Sequence, residues 1–127
     1  MNEHPTVFPT MSYRDASAAI EFLQRAFGAE PHGVYRDDSG CVRHADLRLG
    51  NGMVMLGQAD APQGGGVYVV VSDIDEHCSR ARQAGAEIVR EPNDTDYGSR
   101  EYGARDPEGL AWHFGTYQPF EVTATTS

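Results

Sequence analysis

Hydrophobic and polar positions along this chain switch between a two-residue period and a helical period twice, in the same order each time. Val7 to Tyr13 ("VFPTMSY") alternates as a strand does. Asp15 then offers its carboxylate as a helix N-cap, and "ASAAIEFLQRAF" sets Ile20, Phe22, Leu23, Ala26 and Phe27 on one helical stripe. Gly28 stops that helix in the left-handed conformation that glycine adopts at little cost. "PHGVYR" predicts a short strand, Asp37 to Gly40 a turn, "CVRHADLRL" a strand, Gly50 to Gly52 ("GNG") a hairpin and "MVMLG" the return strand.

Gln58 to Gly66 ("QADAPQGGG") is polar and rich in glycine and proline, so it predicts a linker. Beyond it the order recurs. "VYVVV" is a strand, Asp73 or Asp75 caps "EHCSRARQA", and Gly85 ends that helix. "EIVREP" is a strand, "NDTDYGS" a loop, "REYGAR" a strand, "DPEG" a tight turn and "LAWHFGTY" the last strand. Both helices run into "GAE" (Gly28 to Glu30, Gly85 to Glu87) at a similar interval from an aspartate cap, an internal repeat of about 58 residues. The organisation predicted is one domain of two βαβββ modules, about 7–57 and about 67–117, joined by the linker 58–66 and followed by a flexible tail from about 118 to 127.

Composition narrows the chemistry. The formal net charge is −9, and all ten basic residues are arginine. Such a balance repels phosphates, so no nucleic-acid partner is expected; it suits a cationic ligand, and equally plain solubility. Without lysine there is no Schiff base and no lysine general base. Apolar runs fall short of the roughly 18 residues of a membrane span, and "MNEHPTVFPT" lacks the features of a signal peptide. A cytoplasmic protein with no membrane partner is therefore expected. Cys41 and Cys78 have no metal-type spacing and are expected as free thiols.

The repeat, the aspartate-capped helices ending "FGAE" and "AGAE", and the "DPEG" turn before the last strand resemble the vicinal oxygen chelate superfamily. The segments "YRDASAAIEFLQRAFGAE", "HADLRLGNGMVML" and "YGSREYGARDPEGLAWHFGTY" are most similar to its small glyoxalase- and bleomycin-resistance-like members, the PhnB-like group among them. The resemblance implies an α+β fold in which the tandem modules form a curved mixed sheet around a concave cavity, with helices on the convex face. It further implies a small-molecule-binding protein, antibiotic resistance among the roles, and pairing as a homodimer, while the use of arginine without lysine suggests a bacterial source. Metal-dependent relatives, which include lyases, isomerases and dioxygenases, carry ligands on the first and last strands of the repeats. By offset those positions fall here near Phe8, Gly66, Met55 or Leu56, and His113; only His113 is a ligand type. The cofactor expectation is therefore none, with a divalent metal such as Zn, Ni, Fe or Mn as the alternative.

Strand alternation nominates the site residues. In the last strand, Trp112 and Phe114 share one face and His113 the other, where it can line a cavity or serve as a catalytic general base. In "VRHADLRL", Ala45, Leu47 and Leu49 form the apolar face. His44, Asp46 and Arg48 stand opposite, as a polar wall or, with His113, as an alternative metal set. Tyr68, Tyr97 and Tyr102 are expected to line the cavity, where rings stack on a planar or cationic molecule. Arg100 reads as the anion-binding residue of that cavity or as a solvated loop arginine. Whether the protein is an enzyme stays open at this point.

Overall fold

The two matching stretches of periodicity fold as two copies of one strand–helix–three-strand unit, and the computed structural model describes residues 4–121. In chain order the elements are β1 (Thr10–Tyr13), α1 (Ala16–Phe27), β2 (Glu30–Arg36), β3 (Val42–Leu49), β4 (Gly52–Gln58), β5 (Val67–Val70), α2 (Ile74–Gln83), β6 (Glu87–Asp94), β7 (Arg100–Arg105) and β8 (Ala111–Gly115). One turn of 3-10 helix, Pro119–Glu121, lies within the expected C-terminal tail; positions 122–127 of that tail are outside the described residues.

Each helix begins where an aspartate can satisfy its free amides. Asp15 accepts from the Ala18 amide at 3.0 Å and Asp73 from the Glu76 amide at 3.1 Å. Gly28 closes α1 at φ 74°, donating to Gln24 O. Arg80 of α2 adds bonds to the last carbonyls of α1, Arg25 O at 2.8 Å and Gln24 O at 3.1 Å, so one helix caps the other.

Each unit closes its own four-stranded mixed sheet, ordered β1-β4-β3-β2 and β5-β8-β7-β6. The first strand of each lies parallel to the last, which the helical crossover permits; the remaining neighbours are antiparallel. The α+β fold of two tandem modules implied by the resemblance is present, its mixed sheet built as two four-stranded sheets, one per unit. Between them the linker is held close. Gln63 exchanges backbone bonds with Ser12, and a Cβ on Gly64 would come within 2.8 Å of Thr10 O.

The helices cover one face of the sheets. Under them lie Ala45, Leu47, Val54 and Leu56 of the first sheet, and Tyr102, Ala104, Trp112 and Phe114 of the second, all buried. Phe27 joins the two halves, with its ring centroid 5.2 Å from Trp112 and 4.8 Å from Phe114. The "DPEG" turn is the second joint. Buried Asp106 accepts from Tyr13 Oη at 2.6 Å and Trp112 Nε1 at 3.1 Å, while Glu108 accepts from the amides of Arg14 and Asp15. The other face of each sheet is left for function.

Candidate functional site

On the face of the second sheet turned away from the helices, β8 presents His113 between Tyr68 of β5 and Gly103 of β7. Next along, Gly115 faces Glu101. Both glycines leave space that larger neighbours fill. A Cβ on Gly103 would be 3.7 Å from His113 Nδ1; one on Gly115 would be 2.4 Å from Tyr68 Oη and 2.9 Å from Glu101 Cγ. Tyr68 and Glu101 therefore meet over a bare stretch of backbone.

Around that floor is a cavity of about 410 Å³, lined by Tyr68, Arg90, Tyr97, Glu101, His113, Tyr117 and Pro119. Tyr68 Oη donates to Tyr117 O at 2.8 Å, and the Tyr97 and Tyr117 rings meet edge to face at 5.9 Å. Glu101 is only 7% exposed. Tyr97 Oη donates to its Oε2 at 2.9 Å, whereas its Oε1 has a looser ion pair with Arg90 Nη2 at 3.6 Å. The hydrogen bond to Glu101 raises the Tyr97 hydroxyl above the usual phenol range; Tyr68 is raised by burial and then by the Glu101 charge. Both phenols thus remain donors at neutral pH. His113 makes no hydrogen bond or ion pair to the other described residues, so its ring nitrogens are available to a bound molecule.

A trough of similar size, about 420 Å³, runs between β4 and β5; Tyr68 reaches it too, but with Gln118, Asn51 and apolar residues it is lined without a charged side chain. The chemistry is concentrated over the second sheet.

Of the residues nominated from sequence, His113, Tyr68 and Tyr97 come together in this cavity. His44, Asp46 and Arg48 sit on the first sheet. His44 Nε2 and Asp46 Oδ1 are 2.6 Å apart, and Arg48 Nη2 donates to His32 Nδ1 at 3.2 Å. They make a polar wall of their own and do not join His113: among the described residues no three His, Cys, Asp or Glu side chains gather as a metal site requires. The set His44, Asp46 and His113 therefore does not fit a metal within one chain.

Two nominations need correction. Tyr102 points to the opposite face, fully buried against Phe114, with its hydroxyl bonded to His77 Nδ1. Register is the reason: Tyr102 is the partner of Phe114 and shares its core side. Arg100 has the same parity and leaves the cavity. It forks onto Asp75 (3.0 and 2.9 Å) and reaches Asp94 at 3.0 Å, tying α2 to β6 and holding the Asp75 carboxyl below its ordinary range.

Glu101, Arg90, Tyr117 and Pro119 also line the cavity and are not among the residues nominated from sequence. Pairing back from the "DPEG" turn sets Arg105 against Ala111, hence Glu101 against Gly115, and so marks Glu101 as a neighbour of His113's face. Arg90 carried no such signal, because β6 is irregular on both sides of it.

A model of the glyoxalase/bleomycin resistance protein/dioxygenase superfamily matches residues 6–114. The uncharacterized protein Mb0911c of Mycobacterium bovis is 32% identical, over 91% of this chain and 85% of its own. TioX from Micromonospora sp. ML1 is 37% identical with a TM-score of 0.75, over 90% of this chain and 98% of its own. The fosfomycin resistance protein FosX from Listeria monocytogenes, complexed with Mn(II) and sulfate, has a TM-score of 0.71 at 16% identity, over 95% of this chain and 98% of its own; that likeness is one of fold.

Proposed function

The chain belongs to the glyoxalase/bleomycin resistance protein/dioxygenase superfamily, and from that premise we propose that it is a small-molecule-binding protein that sequesters a flat ligand over its second sheet without a metal. One observation carries the reading. Three tyrosines, His113 and a buried carboxylate surround one cavity on a glycine floor, while of the expected metal positions only His113 is a ligand type, the others being Phe8, Gly66, and Met55 or Leu56. Rings supply stacking surface and phenol hydroxyls supply directional donors, which suits retention of a planar molecule. The same proposal takes about 7–57 and 67–117 as the modules and a cytoplasmic homodimer as the working form.

The test uses protein purified without a histidine tag. Metal content, melting temperature with planar aromatic cations, and recovery of the ligand by mass spectrometry are measured together. Ligand at about 100 times its Kd should raise Tm by roughly 10 °C. The expected result is such a shift in metal-free protein, with ligand recovered unchanged. A stoichiometric metal required for the shift would refute the proposal.

A second reading follows from the uncommitted nitrogens of His113 inside the cavity. It makes the protein a metal-free enzyme with His113 as general base. Product appearing in the same mass spectra, and disappearing in His113→Ala with binding retained, would favour it over sequestration.

A further inference from the structure

The cavity holds a charge arrangement that simple stacking does not require. Glu101 is buried to 7% exposure, yet it lines the open space, and its two oxygens are served unequally. Oε2 takes the Tyr97 hydroxyl at 2.9 Å; Oε1 has Arg90 Nη2 at 3.6 Å, beyond hydrogen-bond length. A carboxylate removed from water demands a close cation, and a guanidinium at that distance supplies one only in part. Arg90 can leave at little cost, for its side chain is 44% exposed. In the same cavity the Tyr68, Tyr97 and Tyr117 rings offer faces and edges to a charged ring system.

We propose that Glu101 is the cation-recognition residue of this cavity, selecting ligands with a protonated amine or amidinium on a flat ring, and that Arg90 is a resident counter-charge which the ligand's cation replaces. The proposal rests on the cavity reading above and adds to it a ligand class and a displacement step. Bound ligand donates to Oε1 while Tyr97 keeps Oε2, so the carboxylate exchanges a loose ion pair for a hydrogen-bonded one. Neutral flat molecules can stack in the same place, but they leave the Glu101–Arg90 pair as it is.

Fluorescence titration with proflavine, cationic at neutral pH, and acridine, neutral there, separates the two levels. Wild-type protein should bind proflavine at least about tenfold more tightly than acridine. Glu101→Gln, nearly the same size and still able to accept from Tyr97, should lose that preference, the ratio of proflavine to acridine affinity falling to about one. Arg90→Met, at an exposed position, should tighten proflavine severalfold by removing its competitor. Binding of both dyes with equal affinity, unaffected by Glu101→Gln, would overturn the proposal and leave the cavity intact. Weaker proflavine binding in Arg90→Met would overturn the displacement step. Failure of both dyes to bind folded wild-type protein would sink the cavity reading, and this proposal with it.

Discussion

Gly115→Ala is the sharpest perturbation that the site offers. Gly115 is buried in β8, and its φ is not among the positive values, so alanine meets no backbone penalty there. The added methyl would instead stand 2.4 Å from Tyr68 Oη and 2.9 Å from both Tyr68 Cε1 and Glu101 Cγ. Ordinary contact begins near 3.4 Å, so the Tyr68 ring must move by about 1 Å. That displacement breaks its 2.8 Å bond to Tyr117 O, worth about 1 kcal/mol net. Overpacking adds about 1–3 kcal/mol. The sum, about 2–4 kcal/mol, lowers Tm by roughly 10 °C, and ligand affinity should fall at least about tenfold as the floor of the cavity is lost. Calorimetry and a dye titration on the same samples provide the assay. Adding Tyr68→Ala to Gly115→Ala should recover part of the stability, since the ring that clashes is gone; the non-additivity should be about 1 kcal/mol or more. A Gly115→Ala protein with unchanged Tm and unchanged affinity would refute the placement of Tyr68 and Glu101 over this glycine.

Asp106→Ala removes the acceptor for Tyr13, Trp112 and the Leu110 amide at the joint between the halves, and should cost about 3–5 kcal/mol in urea unfolding, more than Glu108→Ala at the exposed side of the turn. His77 is pushed from the ordinary 6.5 down to about 4 by burial and by the Arg80 charge. Its folded pKa is depressed, so the unfolded chain binds the proton first; stability should be full above pH 6.5 and fall as pH drops toward 4, and His77→Phe should flatten that limb of the pH–Tm curve. Burial raises the Tyr13 and Tyr102 hydroxyls, Tyr13 also through Asp106, so both favour the folded state below pH 10. Their contribution should be lost above that pH, an alkaline decline reduced in Tyr102→Phe.

The order of elements was legible because each boundary carries its own chemistry: Asp15 and Asp73 as caps, Gly28 at a left-handed φ, and "DPEG" as a turn. Alternation also divided His113 from Trp112 and Phe114 correctly, since β8 is short and regular. Tyr102 and Arg100 suit a cavity by residue type alone, a criterion that takes no account of the face on which each stands. Their parity with Phe114, readable from the turn, sends them to the other face. The separation of His44 and Asp46 from His113 was not readable in that way. Strand parity sets faces within one sheet, and the relation between two sheets depends on long-range packing such as Phe27 on Trp112. Two strands also differ from expectation at their ends. β1 starts at Thr10 rather than Val7, just after Pro9, which cannot donate to a ladder, and β6 continues to Asp94 into the expected loop because Arg100 and Asn93 hold it there.

The most direct test of a metal-free ligand cavity over the second sheet is a crystal structure of untagged protein soaked or grown with proflavine. Expected are ring density between Tyr68, Tyr97 and Tyr117, a ligand nitrogen within hydrogen-bond reach of Glu101 Oε1, Arg90 turned to solvent, and no anomalous metal signal at His113. Ligand seated on the first sheet beside His44 and Asp46, or held through a metal at His113, would contradict that expectation.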